Sequence, residues 1–149
     1  DFTVVGVLGP QGAGKSSVLS LLAGLDIGAS GRFAQASAFA TQSLETVLSA
    51  AHETIGMDAL VLPSERLILL DTQPLMSPSV LAEMLCRDTP LPTNVHSHEN
   101  LLELNSLRIA LLLLSACHIV VCVQDKALDV QWMRLLRTAK MLKHGLPDV

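Results

Sequence analysis

One short stretch near the start of the chain combines glycines, a lysine and serines at a spacing suited to phosphate binding. Residues 9–17 read GPQGAGKSS and match the phosphate-loop pattern G-x-x-x-x-G-K-S in full. Glycines are needed because backbone N–H groups must curl around the phosphates, where a Cβ atom would clash or forbid the dihedral angles. Lys15 can bring a positive charge to the β- and γ-phosphates, and the Ser16 hydroxyl can bind Mg²⁺. The predicted phosphate-binding residues are Gly9, Gln11, Gly12, Ala13, Gly14, Lys15, Ser16 and Ser17.

A second candidate for metal chemistry lies in the stretch RLILLDTQP, where Asp71 ends an apolar run that predicts a strand. Ligand sites of α/β proteins lie at the carboxyl ends of strands. An aspartate at such a position can hold Mg²⁺ through water, although a strand-end aspartate can equally be a solvated surface residue. Because a complete phosphate loop precedes Asp71, we interpret it as part of a metal site.

The order of elements that position these residues predicts an α/β fold with a mainly parallel sheet and one antiparallel edge. A β-branched run predicts a strand before the glycines, and helical spacing of leucines predicts a helix after them. Two later strands separated by a short turn predict a hairpin. Predicted strands cover residues 3–8, 57–62, 67–71 and 118–123, the last fully buried, and predicted helices cover residues 16–24, 77–86, 99–116 and 129–143.

One long region of the sequence shows no regular pattern of apolar residues. Residues 25–56 are small, polar and poorly periodic, so we expect a long mobile loop that is compatible with a short helix over residues 43–51.

Ser77 and Asp129 are predicted to cap the helices that follow them. The last helix is expected to gather its apolar residues on one face and leave its basic residues solvated. The apolar set is Val130, Met133, Leu136 and Met141, and the basic set is Arg134, Arg137, Lys140 and Lys143.

Three blocks of the sequence resemble a known family. The segments VVGVLGPQGAGKSS, LLDTQPLMSPSVL and CHIVVCVQD, in this order, are similar to the family of the ninth SMG factor of nonsense-mediated mRNA decay. The resemblance implies a P-loop NTPase fold of the G-like type, with residues 1–149 as a single, partial domain whose C-terminal strands are missing. It also implies a cytoplasmic protein that pairs with a paralogous G-like subunit, the eighth SMG factor, and regulates the SMG PI3K-like kinase.

The same resemblance implies a set of switch-like residues. The stretch LLDTQP is similar to the DxxG element of small GTPases, with Pro74 at the glycine position. The threonine that caps Mg²⁺ in such proteins is best matched by Thr54, in ETIGMD, with Thr41 as the alternative. The implied Mg²⁺ ligands are Ser16, Asp71 and Thr54, and the implied switch-like residues are Thr54, Asp71, Thr72, Gln73 and Pro74.

Departures from the GTPase pattern bear on catalysis. In GTPases the DxxG glycine donates its N–H to the γ-phosphate, but Pro74 has no N–H to donate. Leu75 stands where GTPases usually carry the glutamine that orients the attacking water. Gln73 is expected to point elsewhere because the fixed φ of Pro74 constrains it. We therefore assign no catalytic residue and expect slow nucleotide hydrolysis or none.

The identity of the base is not encoded in a recognisable motif. The stretch QDKALD superficially resembles the guanine-reading motif of GTPases, but it follows a strand that lies one position too early in the order. Guanine is therefore favoured by analogy alone. The expected cofactors are GDP or GTP with Mg²⁺, and ATP and ADP remain open.

Composition narrows the remaining classes. A net charge of −4 and 3% aromatic residues argue against direct nucleic-acid binding. The longest apolar run, residues 107–117, contains Arg108 and is shorter than the roughly 20 residues of a membrane helix, so no membrane association is expected. Three cysteines without paired spacing predict buried free thiols in a reducing compartment.

Three functions are compatible with these features. The first is a nucleotide-bound regulatory scaffold, and the second is an active switch GTPase that moves Thr54 and the Asp71 segment. The third is a small-molecule kinase with a phosphate loop, which would need an arginine-bearing lid. Arg87 and Arg108 are isolated in the sequence and form no lid signature, which leaves the scaffold as the leading hypothesis.

Overall fold

In the computed structural model the described residues are 1–24, 38–125 and 129–145, and within them the chain forms four strands and five helices. The strands are β1 (Thr3–Leu8), β2 (Met57–Leu62), β3 (Leu67–Thr72) and β4 (Ile119–Cys122). The helices are α1 (Lys15–Leu22), α2 (Leu44–Leu48), α3 (Pro78–Cys86), α4 (His98–Ala116) and α5 (Val130–Lys143). Each lies within a few residues of its predicted bounds. Residues 25–37 of the predicted mobile loop lie outside the described residues.

The four strands form one mixed sheet in the order β2-β3-β1-β4. Strand β1 pairs in parallel with β3 and β4, while β2 pairs antiparallel with β3 at the edge. The prediction of an α/β fold with an antiparallel edge is thereby confirmed. Because β1, β3 and β4 run in the same direction, their carboxyl ends meet at one end of the sheet. That end is where the residues with candidate chemistry are brought together.

Helices cover both faces of the sheet, and the side chains of β1 contribute to the packing on both because they alternate between the two faces. Val5 and Val7 point into a cluster with α1, whereas Leu8 belongs to a cluster with α4 and α5. The approach of α4 is close at Gly6, where a Cβ atom would lie 2.6 Å from a methyl carbon of Leu113. The sheet is thus sandwiched between helical layers, which holds the strand ends in place.

The prediction of a fully buried strand at residues 118–123 is wrong. Strand β4 lies at the edge of the described sheet and pairs with β1 alone, so it is covered less than a central strand would be. Ile119 is 53% exposed and Cys122 is exposed, as is Cys86. The expectation of buried thiols therefore fails for two of the three cysteines, and Cys117 is half-buried.

The predicted apolar face of α5 is wrong for three of its four residues, while Leu136 is partly buried against the core. The buried residues are Trp132, Leu135 and Ala139, which contact α4, whereas Val130, Met133 and Met141 are exposed. Both sets have helical spacing, but Ala139 carries too little apolar surface to stand out in the sequence. Of the basic residues, Arg134, Arg137 and Lys140 are exposed, as expected, whereas Lys143 is half-buried.

Helix caps agree with the sequence. Ser77 accepts a hydrogen bond from the Ser79 N–H, and Asp129 accepts from the N–H groups of Gln131 and Trp132. Within the described part of the chain, no helix combines the length and apolarity needed to cross a bilayer.

Candidate functional site

The glycine loop (residues 9–17) joins the end of β1 to the start of α1. Gly12 and Gly14 have φ angles of +74° and +87°, which side-chain-bearing residues rarely adopt. Gly14 is the N-cap of α1, and no side chain among the described residues caps that helix. The first N–H groups of α1 are therefore left for an anion, and the helix dipole favours negative charge at the same point.

The first residue of the loop is wedged between two neighbouring segments. A Cβ atom on Gly9 would lie 2.3 Å from the carbonyl oxygen of Val123, which follows β4. On another side, the Gly9 carbonyl accepts a hydrogen bond from the Leu75 N–H at 3.2 Å. Only glycine allows this approach, so the loop begins at a point set by both neighbouring strands.

Lys15 is buried at the base of the loop with 7% of its surface exposed. Its Nζ donates to the Pro10 carbonyl at 2.9 Å, and no described carboxylate lies within ion-pairing distance of it. Burial lowers the pKa of the Lys15 ammonium, and the charge of Asp71 opposes that shift in part. The lysine is thus a weakly compensated cation, which an anionic ligand would stabilise.

Asp71 lies at the end of β3 with no exposed surface and is the centre of a polar cluster. Its Oδ2 accepts from the Ser16 hydroxyl at 2.6 Å and from the Thr54 hydroxyl at 3.2 Å, and its Oδ1 accepts from the Thr72 N–H at 3.0 Å. Burial raises the pKa of Asp71, while these hydrogen bonds and the Lys15 charge act in the opposite direction. The structure therefore brings together the three predicted Mg²⁺ ligands, Ser16, Asp71 and Thr54.

A pocket of about 300 Å³ opens in front of the glycine loop. Besides the loop, its walls come from the segment before β2 and from the end of β3. The lining residues are Gln11, Gly12, Gly14, Lys15, Ser16, Ser17, Ala40, Thr41, Gln42, Val47, His52, Glu53, Thr54, Thr72 and Pro74. Both candidate threonines reach the pocket, but Thr54 is the one that contacts Asp71.

The segment after β3 uses its backbone N–H groups within the protein. Pro74 has none, and the N–H of Gln73 donates to the Gly56 carbonyl at 2.8 Å. The N–H of Leu75 donates to the Gly9 carbonyl, and that of Met76 donates to the Ser106 hydroxyl at 3.0 Å. Residues 73–76 therefore leave no free backbone donor for a ligand in the pocket.

The side chains of two switch-like residues are also engaged in the protein. Gln73 Oε1 accepts from the Gly56 N–H at 2.9 Å, so this glutamine ties two backbone segments together and does not line the pocket. The Thr72 hydroxyl donates to the Val7 carbonyl at 2.8 Å and is buried in the sheet. Of the switch-like set, Thr54, Thr72 and Pro74 line the pocket, and Asp71 contacts Thr54 beneath it.

Several residues of the pocket carry no signal in the sequence and were not predicted. Gln42, His52 and Glu53 line the pocket; His52 Nδ1 is hydrogen-bonded to the Ser79 hydroxyl at 3.0 Å, and its Nε2 lies 3.0 Å from a Glu83 carboxylate oxygen. No motif marks these residues, and the partners of His52 lie on α3, about thirty positions away in the chain. Arg87, considered for a kinase lid, instead pairs with Glu83 at 2.6 Å.

Comparison with known proteins identifies relatives along nearly the whole chain, although no family model matches it. The nonsense-mediated mRNA decay factor SMG9 of Xenopus laevis is 40% identical over 148 residues, which cover 99% of this chain. The factor of the same name from Salmo salar is 37% identical over the same share. Protein SMG9 of Drosophila melanogaster is 34% identical over 163 residues and 98% of this chain. The chain spans 28% of the length of each of these relatives.

Proposed function

The chain is a homologue of a segment of the nonsense-mediated mRNA decay factors SMG9, and on this premise we propose that it is a nucleotide-binding regulatory scaffold in nonsense-mediated mRNA decay. The homology supports the pathway. The nucleotide is argued from the site itself, because a relative's name says nothing about what this pocket binds.

The observation that carries nucleotide binding is the buried, weakly compensated Lys15 at the floor of a 300 Å³ pocket formed by the glycine loop. That volume lies at the lower end of the roughly 300–1,000 Å³ typical of small-molecule sites. Phosphate groups would receive backbone N–H donors from the loop and the first turn of α1, together with the charge of Lys15. On this proposal the sheet and loop form a P-loop NTPase fold of the G-like type.

The residues beneath the pocket are chemically suited to Mg²⁺. This ion prefers oxygen ligands and usually binds through one or two carboxylates, hydroxyls, water and substrate phosphates. Ser16, Thr54 and Asp71 provide such oxygens. The hydroxyls of Ser16 and Thr54 both donate to the same carboxylate oxygen of Asp71. When bound, the ion would neutralise phosphate charge. The protein side of the site contributes the buried Asp71 carboxylate, and a bound cation would offset the cost of burying its charge.

A nucleotide bound at this site would be held without a contact that detects its γ-phosphate. In switch GTPases, contacts to the γ-phosphate and Mg²⁺ order two loops, which are released on hydrolysis. Here residues 73–76 offer no free N–H, and Leu75 is buried in the core beside α4 and cannot orient water. We therefore propose weak hydrolysis or none, and similar retention of diphosphates and triphosphates.

The alternatives draw less support from the structure. An active switch GTPase would need a γ-phosphate donor in the segment after β3, where the described N–H groups are engaged. A small-molecule kinase would need an arginine over the pocket, but Arg87 pairs with Glu83 and Arg108 bonds Asn105 on the same helix. The base remains a proposal by analogy, with guanine preferred over adenine.

The partners and the compartment follow from the family resemblance. We propose that the protein pairs with a paralogous G-like subunit, the eighth SMG factor, and regulates the SMG PI3K-like kinase in the cytoplasm. Bound nucleotide would stabilise the fold through mass action, by an amount that depends on its concentration relative to Kd. A scaffold of this kind can depend on nucleotide without consuming it.

Mass spectrometry of nucleotide released from the purified full-length protein tests this proposal. We expect near-stoichiometric nucleotide in the wild type and little in Lys15→Ala, with wild-type content in Lys140→Ala, because Lys140 is exposed on α5. The masses would identify the base and the number of phosphates. Absence of nucleotide from the wild type, together with no binding of added guanine or adenine nucleotides, would overturn the proposal.

A further inference from the structure

The side chain of Gln11 leaves the glycine loop and bonds two other segments. Its Nε2 donates to the Ala51 carbonyl at 2.7 Å and to the Ala50 carbonyl at 3.1 Å. Its Oε1 accepts from the Ser77 hydroxyl at 2.6 Å. Each polar atom of this amide is thus engaged by a partner of the matching kind.

Both segments flank the mouth of the pocket. Residues 50–51 precede the lining residues His52 and Thr54, and Ser77 is the N-cap of α3. The two segments are also joined to each other, because Ser77 bonds Ser79 and Ser79 bonds His52. Gln11 therefore closes a ring of contacts that runs from the glycine loop across the pocket edge to α3.

The backbone beside Gln11 is held in an unfavourable conformation. Ala50 has a φ of +54°, a left-handed angle that residues other than glycine adopt uncommonly. Such conformations persist where surrounding contacts determine them. Here the N–H groups of Ala50 and Ala51 donate to the Val47 and Thr46 carbonyls and end α2, which fixes the angle, and the carbonyls of residues 50 and 51 are both directed at the Gln11 amide.

We infer that Gln11 is a positioning residue that holds residues 50–51 and Ser77 against the glycine loop and so keeps bound nucleotide in the pocket. The inference rests on the proposed nucleotide site and deepens it. In switch GTPases the γ-phosphate and Mg²⁺ order the flanking loops. The clamp made by Gln11 uses protein groups only, so it acts equally on diphosphates and triphosphates.

The test compares dissociation rates of methylanthraniloyl-labelled GDP, GTP, ADP and ATP from the full-length protein. Gln11→Met keeps the side-chain length and removes all three hydrogen bonds. Gln131→Met is the matched control, because it makes the same chemical change at an exposed position on α5 that does not line the pocket. The association rates are measured in parallel, since a clamp acts on release and a folding defect would affect both rates.

We expect Gln11→Met to release diphosphates and triphosphates about tenfold faster, by the same factor and with association rates within about twofold of wild type, as for most interface changes. Gln131→Met should stay close to wild type. If the wild type binds nucleotide and Gln11→Met releases it at the wild-type rate, the clamp is overturned and the proposed site stands. Faster release of triphosphates alone would also overturn it, because Gln11 would then sense the γ-phosphate. If the wild type binds none of the four nucleotides, the proposed function itself fails.

Discussion

The glycine loop (residues 9–17) and the segment after β3 (residues 73–76) meet at Gly9 but use their backbone N–H groups differently. The loop has left-handed glycines and opens into a helix without a side-chain cap among the described residues, so its donors are available to an anion. In the segment after β3, one residue is a proline and the other three N–H groups donate within the protein.

This difference separates phosphate binding, which the glycine loop can provide, from detection of the γ-phosphate, for which the segment after β3 has no free donor. A phosphate site needs free donors in a fixed frame, whereas a γ-phosphate sensor needs a donor in a segment that can move. The segment after β3 is tied to Gly56, Gly9 and Ser106, which restrains its movement. On the proposed function, the two regions together would hold a nucleotide with little dependence on its third phosphate.

The largest effect is expected from removing the cation of the glycine loop. Lys15→Ala should weaken nucleotide affinity by about 100-fold, since a hydrogen bond to a charged group contributes about 1.5–3 kcal/mol and buried charges more. Titration calorimetry of the full-length protein would measure the change, with Lys140→Ala as the exposed control. Unchanged affinity in Lys15→Ala would remove the basis for treating the loop as the binding region.

A second change tests the point where the two regions meet. Gly9→Ala places a Cβ atom 2.3 Å from the Val123 carbonyl, and because both groups belong to the backbone, neither can rotate away. We expect the free energy of unfolding to fall by about 2 kcal/mol or more. Gly145→Ala is the control: like Gly9 it has no left-handed φ, and the nearest described atom to the added Cβ is the Leu142 carbonyl oxygen at 3.5 Å, an ordinary contact. Equal losses in urea denaturation would show that the contact with Val123 is not constraining.

The buried carboxylate at the end of β3 links stability to pH. Because burial raises the pKa of Asp71, the folded protein binds this proton more tightly than the unfolded chain does. Its contribution to stability therefore falls as pH rises from about 4 through the raised pKa and stays low above it.

Asp71→Asn should remove the free-energy cost of burying a charged carboxylate. In EDTA and without nucleotide at pH 7, we expect the free energy of unfolding to rise by about 1 kcal/mol, while the Mg²⁺-dependent part of nucleotide affinity is lost. Asp58→Asn, at the exposed position paired with Asp71 across β2 and β3, should change neither quantity. A destabilised Asp71→Asn protein would show that the hydrogen bonds and the Lys15 charge outweigh burial.

The smallest effect is expected from restoring a donor to the segment after β3. Pro74 lines the pocket, and Pro74→Ala adds an N–H at the position where GTPases contact the γ-phosphate. We expect the ratio of triphosphate to diphosphate affinity to rise about threefold, which corresponds to one modest hydrogen bond. Pro63→Ala, in the exposed turn between β2 and β3, is the control. If this affinity ratio is unchanged in Pro74→Ala, the missing N–H of Pro74 is not the reason why the site would fail to detect the γ-phosphate.

Local patterns in the sequence were sufficient for much of the fold and for the chemistry of the site. A β-branched run, a glycine loop and leucines at helical spacing predicted β1, the loop and α1, because each depends on neighbours within a few residues. The apolar run before Asp71 placed that carboxylate at a strand end. The same patterns failed at β4 and on α5, where exposure depends on which elements pack nearby.

The identity and order of the chemical groups at this site can therefore be read from the chain alone, since the dihedral needs of glycine, the missing N–H of proline and the charge of lysine are local properties. Which donors remain free is a matter of packing. The carbonyls that engage Gln73 and Leu75, and those that engage the Gln11 amide, lie between 17 and 66 positions away. Hydrogen bonds between such distant groups form only once the sheet and its helices have brought the strand ends together, because loop closure over those lengths has no local signature.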